Sequence, residues 1–219
     1  IFLYYNCMNT PKINVAKQAV KLIEKKITPE TIIGIGTGST VNFFIDELKK
    51  YKNLFKGAVS SSNASTKLLN DSGIQTYNLN EVLEIEFYID GADEVSKDNY
   101  LIKGGGGAHT REKIVASAAN YFICIVDSSK LVNQLGAFPL PIEVIPESRS
   151  LVSRKIVSMG GIPLYRSGFL TDQGNEIIDV KNLDISDPMN LEMELNNIPG
   201  VVENGIFAVN KPSEILVGK

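Results

Sequence analysis

Four times before Lys130 a short apolar run stops at a polar or glycine-rich segment. Thr31 to Ile35 leads into Gly36-Thr37-Gly38-Ser39-Thr40, and Ala58-Val59 into Ser60-Ser61-Ser62-Asn63. Ile85 to Ile89 leads into Asp90-Gly91-Ala92-Asp93-Glu94, and Phe122 to Val126 into Asp127-Ser128-Ser129-Lys130. Helical patterns lie between these runs. Asn14 to Lys26 places Val15, Ala19, Leu22 and Ile23 on one face, and Val41 to Leu48, Ala64 to Asn70 and Thr110 to Ala119 also read as helices. Strand, loop and helix in repetition predict βαβ units and a parallel sheet covered on both faces. Such sheets gather ligands at the carboxyl ends of their strands. Any one polar segment is explained as a turn; four of them at strand ends favour one shared cleft.

After Lys130 the texture changes. Pro139-Leu140-Pro141 and Pro146 interrupt the chain, and Ser150 to Met159 reads as a helix stopped by Gly160-Gly161. Leu164 to Leu170 and Glu176 to Val180 read as strands around the turn Thr171 to Gly174. Met189 to Asn197 is helical, and Val201 to Val209 strand-like. The prediction is an α/β protein: a Rossmann-like parallel-sheet domain over residues 8–130, with 206–219 returning to it, and a smaller α+β subdomain over 131–205.

Composition narrows the chemistry. The chain has 219 residues, and its 43% hydrophobic and 21% charged content fits a folded globular protein. With 22 Lys+Arg against 25 Asp+Glu the net charge is −3, no footprint for nucleic acid or an anionic membrane. Cys7 and Cys124 lie far apart with no metal-ligand partner, which fits a reducing compartment. His109 is the only histidine, so acid–base work falls to carboxylates, lysines and tyrosines. Ile1 to Tyr5 is too short for a signal h-region, and no segment reaches the ~18 apolar residues of a membrane span. Met8 is a candidate native start, with the residues before it extra. The expectation is a soluble, cytoplasmic protein.

Three motifs carry chemistry. Gly34 to Thr40 joins a strand to a helix, where close backbone approach and helix-start N–H groups favour a phosphate. A dinucleotide fingerprint needs glycine where Ser39 stands, and a Walker A loop needs a lysine before the Ser-Thr pair. A phosphate or small-anion site remains, with a structural tight turn as the alternative. Asp90, Asp93 and Glu94 form an acidic turn, half of a divalent-metal site, or carboxylates that accept from sugar hydroxyls and shuttle their protons. Lys103-Gly104-Gly105-Gly106-Gly107 precedes a helix start at His109-Thr110-Arg111-Glu112. Four glycines are costly to order, so either this is a flexible linker or the backbone nest beside Lys103 stabilises an oxyanion. Glu112, in the helix's first turn, is then the candidate base, kept ionised by the helix dipole, or else a helix-start carboxylate acting with Thr110. His109 reads as a surface or packing residue.

In this order and spacing GTGST, SSSNAST, DGADEV, KGGGGAHTREKIVA and DSSK resemble the A-type ribose-5-phosphate isomerases. FPLPIEVIP and IPGVVENGIF are similar to that family too, so the resemblance covers nearly the whole chain. His109 departs from the apolar or small residue that the family often has, and the first seven residues match nothing.

The resemblance implies interconversion of D-ribose 5-phosphate and D-ribulose 5-phosphate through an enediol, in the pentose phosphate pathway, with no metal and no organic cofactor. It implies Glu112 as base, Lys103 with the glycine amides as oxyanion stabiliser, and Asp90 and Asp93 in ring opening and hydroxyl proton transfer. Substrate contacts carry over to Thr37, Gly38, Ser39 and Thr40, to Asp90, Gly91, Ala92 and Asp93, to Lys103, Gly104, Gly105 and Gly106, and to Lys130. A homodimer or dimer of dimers is implied as well. Two rivals are a non-catalytic sugar-phosphate sensor, which needs no Lys103–Glu112 combination, and a related amino-sugar phosphate deaminase or acyl-CoA transferase. Formation of ribulose 5-phosphate in the presence of EDTA discriminates them.

Overall fold

The computed structural model describes the backbone from residue 2 and side chains from residue 9, so the readings of Ile1 to Tyr5 and Cys7 lie outside the described side chains. In chain order the elements are α1 (Phe2–Ile23), β1 (Ile32–Ile35), α2 (Ser39–Leu48), β2 (Gly57–Ser60), α3 (Asn63–Asp71), β3 (Ile85–Asp90), β4 (Glu94–Val95), β5 (Leu101–Ile102) and α4 (His109–Ala118). There follow β6 (Ala119–Asp127), β7 (Leu140–Val144), α5 (Arg149–Ser158), β8 (Ile162–Tyr165), β9 (Glu176–Lys181), α6 (Pro188–Asn196), β10 (Val201–Asn204), β11 (Ile206–Phe207) and β12 (Glu214–Gly218).

The first compact unit holds the residues up to Gly91, Ile114–Lys130 and Pro212–Lys219. Its sheet runs β12-β6-β3-β1-β2, and every pairing is parallel. Strands buried on both faces read as continuous apolar runs rather than alternation, which is why β1 and β2 are buried at all four positions. Val15, Ala19 and Ile23 of α1 and Val41, Phe44, Ile45 and Leu48 of α2 pack with Ile33, Ile35, Phe87 and Ile123 in one core. The Rossmann-like α/β expectation holds here, and β12 lies parallel to β6 at one edge of the sheet.

The second unit holds Ala92–Lys113 and Leu131–Lys211, and contains two antiparallel sheets, β10-β7-β9-β8 and β11-β5-β4. This division differs from the predicted boundaries in a definite way. The 92–113 segment leaves the parallel domain because β4 and β5 pair with β11, and residues 206–211 stay with the second unit for the same reason. The expected single strand Val201 to Val209 is broken at Gly205, where β10 on β7 gives way to β11 on β5. The strand expected over Leu164 to Leu170 ends at Tyr165. Pro141, expected to interrupt the chain, lies inside β7. Pairing with β10 ends at Ile142, and the Pro141 carbonyl accepts from Gly205 N–H at 2.8 Å, so its missing N–H falls beyond that ladder. No helix among the described residues is long and apolar enough to cross a membrane.

Candidate active site

In the first unit the chain turns one way from β1 to β2 and the other way to β3, and loops at the carboxyl ends of such neighbouring strands form the usual ligand crevice. The loop after β1 is held there by Asp90, at the end of β3. Asp90 is fully buried and accepts from Thr37 N–H at 3.0 Å, from Gly91 N–H at 2.7 Å and from the Tyr88 hydroxyl. A Cβ on Gly36 would lie 2.0 Å from the Asp90 carboxyl carbon, so only glycine admits this approach. Thr37 Oγ1 donates to Ser62 Oγ at 2.8 Å and lies 3.0 Å from Ser61 Oγ, while Ser65 Oγ donates to the Gly36 carbonyl at 2.7 Å. The serine cluster therefore buttresses the glycine turn.

Gly38, with φ +116°, precedes α2, whose N-terminus has no side-chain cap. Lys12, which sequence reasoning missed, donates to Ser39 Oγ at 2.9 Å. An uncapped helix start with an ammonium beside it favours an anion. After β6, Asp127 accepts from Ser129 N–H at 3.0 Å and from its hydroxyl. Burial raises the Asp127 pKa, but the Ser129 hydrogen bonds with Lys12 and Lys130 outweigh it and hold the carboxyl below its ordinary value.

The second unit holds the other predicted residues. Lys103 and Glu112 form an ion pair, Nζ to Oε2 3.0 Å, with side chains only 3% and 6% exposed. Lys103 follows β5, and its N–H donates to the Gly205 carbonyl at 2.9 Å. Glu112 sits in the first turn of α4, bonded through its N–H to the Ala108 carbonyl. Between them the loop closes by Gly107 N–H to Gly104 C=O at 2.9 Å, with φ of +102° at Gly104 and +77° at Gly107, positions that glycine takes without strain. This is a tight turn, not the flexible linker. Gly105 N–H donates to Asp93 Oδ2 at 2.8 Å. Glu94, third in the acidic motif, is spent on the N–H groups of Gly136 and Phe138. No group of three or more His, Cys, Asp or Glu among the described residues could hold a metal ion.

His109 is fully buried, a packing residue rather than a surface one. Its Nε2 lies 3.3 Å from the Glu203 carbonyl, and burial, then Lys113, push its pKa down to about 3. Three further features carried no sequence signal or a weak one. Lys113 Nζ meets Glu192 and Glu203 at 2.8 Å and the Asn204 carbonyl at 2.9 Å. Buried Glu143 accepts from the hydroxyls of Thr110 and Thr171 and from Asn175; a lone carboxylate inside an apolar strand was its signal. Arg166 reaches the carbonyls of Gly104 and Gly105.

Residues 57–219 match the family model for ribose 5-phosphate isomerase A (phosphoriboisomerase A). The fold superposes on a ribose 5 phosphate isomerase A from Neisseria gonorrhoeae with a TM-score of 0.90 and 51% identity over 95% of this chain and 92% of that one. A ribose 5-phosphate isomerase A from Methanocaldococcus jannaschii follows with a TM-score of 0.88 and 45% identity, covering 95% and 94% of the two chains. A D-ribose-5-phosphate isomerase in complex with phospho-erythronic acid gives 0.88 and 39%, with 94% and 93% covered. Motifs, fold and identity agree: this chain belongs to the ribose 5-phosphate isomerase A family.

Proposed function

We propose that the chain interconverts D-ribose 5-phosphate and D-ribulose 5-phosphate through an enediolate, with Glu112 as the base. The observation that carries this is the buried Lys103–Glu112 pair at 3.0 Å, set at a helix start behind a glycine turn. The Glu112 carboxylate takes the proton from C2 of the open-chain aldose. The electron pair released forms the C1–C2 double bond, and the carbonyl pair moves onto O1. Glu112 then returns its proton to C1, while the O2 proton leaves and O1 is protonated. Lys103 supplies positive charge, and the glycine turn supplies N–H groups, for the oxygen that becomes anionic.

The two aspartates divide the remaining work. Partly exposed Asp93 suits ring opening and hydroxyl proton transfer. Fully buried Asp90, with both oxygens accepting hydrogen bonds, suits holding the Thr37 turn. Thr37, Gly38, Ser39, Thr40 and Lys130 are assigned to substrate contact, the uncapped α2 start beside Lys12 favouring the phosphate. Gly91, Ala92 and Gly104 to Gly106 complete the assignment by resemblance. A relative's phospho-erythronic acid combines a phosphate with a carboxyl group, a charge pairing akin to that of an enediolate phosphate.

The chain is assigned to the cytoplasm and to a homodimer or dimer of dimers. Edge strand β8 supports the assembly, since its Ile162, Leu164 and Tyr165 are apolar and 43–48% exposed.

The test is conversion of ribose 5-phosphate to ribulose 5-phosphate in EDTA by wild type and Glu112→Gln. The variant should lose about 10²–10⁴ in turnover while still binding the sugar phosphate. Normal turnover by Glu112→Gln would remove Glu112 from the base role.

A further inference from the structure

The glycine turn is fastened from one side by a single guanidinium. Arg166 Nη1 lies 3.4 Å from the Gly104 carbonyl and 3.2 Å from that of Gly105, and Nη2 lies 3.4 Å from Gly104. The remaining donors go to Asp179, Nε at 2.8 Å and Nη2 to the other oxygen. These contacts use all five N–H groups of the fork. Arg166 therefore has no donor left over for a substrate phosphate. Its plane is fixed by Asp179 and by the Phe169 ring, 5.3 Å from the guanidinium carbon.

Peptide geometry turns this grip into an orientation. In a trans peptide the carbonyl of one residue and the N–H of the next point in opposite directions. Drawing the Gly104 carbonyl toward Arg166 aims Gly105 N–H the other way, where it meets Asp93 Oδ2 at 2.8 Å. Drawing the Gly105 carbonyl the same way aims Gly106 N–H away from Arg166. That N–H has no hydrogen bond among the described residues, and a Cβ on Gly106 would meet nothing within 4 Å. The turn thus presents one amide to Asp93 and leaves the next, on an exposed residue, without a hydrogen bond among the described residues.

We propose that Arg166, clamped by Asp179, is a positioning residue that locks the Gly105–Gly106 peptide so that Gly106 N–H donates to the oxygen gaining charge in the isomerisation. This rests on the isomerase reading above. Arg166 acts through the peptide and touches no reacting atom. A four-glycine turn has no side chains to hold its peptides, so an outside clamp must supply the rigidity that an oxyanion donor requires.

The experiment compares wild type with Arg166→Met, which keeps an unbranched stem but no donors, and with Asp179→Asn, which keeps the arginine and loosens it. In Arg166→Met, kcat for ribose 5-phosphate should fall about tenfold to a hundredfold with KM nearly unchanged. Added guanidinium ion should recover part of that loss. Asp179→Asn should show the same split, several-fold smaller, and serves alone if Arg166→Met does not fold. Unchanged kcat, a rise in KM alone, or a loss that guanidinium does not recover overturns the proposal. Amide NMR of the unliganded proteins reads the clamp without substrate. The Gly106 resonance should move and broaden in Arg166→Met, and an unmoved peak overturns the proposal whether or not the wild type is an isomerase. A wild type that does not convert ribose 5-phosphate, with the Gly106 peak moved, counts against the isomerase reading and leaves the clamp standing.

Discussion

His109 should make the protein acid-sensitive in a window that one substitution removes. Its ring is fully buried, and three cations bear on it: Lys113, then Arg166 and Lys103 more weakly. The Glu203 carbonyl at 3.3 Å opposes them only in part. The folded pKa of about 3 lies below the ordinary 6.5, so between those values the unfolded chain binds a proton that the folded chain refuses. Stability from this group is therefore whole above pH ~6.5 and is lost progressively as pH falls toward ~3. At about pH 5 the loss is near 1.36 kcal/mol times the ~1.5 pH units already travelled below 6.5, or about 2 kcal/mol. That figure is set almost wholly by the unfolded histidine, because the folded pKa is far below 5. Urea unfolding of wild type and His109→Leu at about pH 7.5 and 5 reads it directly through the midpoint and slope. Leucine gives up the Nε2 hydrogen bond, a cost of about 1 kcal/mol that is the same at both pH values. Wild type should lose about 2 kcal/mol more than the variant between the two conditions. Equal losses would show that His109 protonates inside the fold, and the reasoning from burial would fail.

Two further outcomes follow from charge and from exposed apolar surface. Lys113→Met leaves the Glu192 and Glu203 carboxylates, 5% and 18% exposed, without their shared cation, and should cost about 3–5 kcal/mol in urea unfolding. Replacing Glu192 together with Lys113 by apolar residues should return part of that loss. Ile162→Lys on β8 should shift sedimentation toward monomer with little change in the melting of the isolated chain, because that side chain is 48% exposed; an unchanged sedimentation coefficient removes β8 from the assembly.

How much of this was written in the sequence depends on how local each cause is. The parallel sheet was legible because burial on both faces leaves unbroken apolar runs such as Ile85 to Ile89, each ending at its loop. The two-residue strands β4, β5 and β11 were not, since a pair such as Leu101-Ile102 has no period to read and becomes a strand only through partners distant in the chain. Without those pairings, 92–113 reads as part of the parallel domain, whereas it belongs to the second unit. The candidate site divides in the same manner. Lys103 and Glu112 stood out because glycines and a helix start are local signals that bracket a nest. Arg166 lies in a stretch read as a strand, Leu164 to Leu170, and its purpose rests on two carbonyls that no pattern around it announces. A carbonyl leaves no trace in the identity of its residue. The chemistry-bearing side chains of a site are therefore legible before the groups that aim its backbone, and a glycine-rich nest is where that difference is greatest: the residues that make it adaptable cannot also make it rigid, so the rigidity must be sought in some other part of the chain.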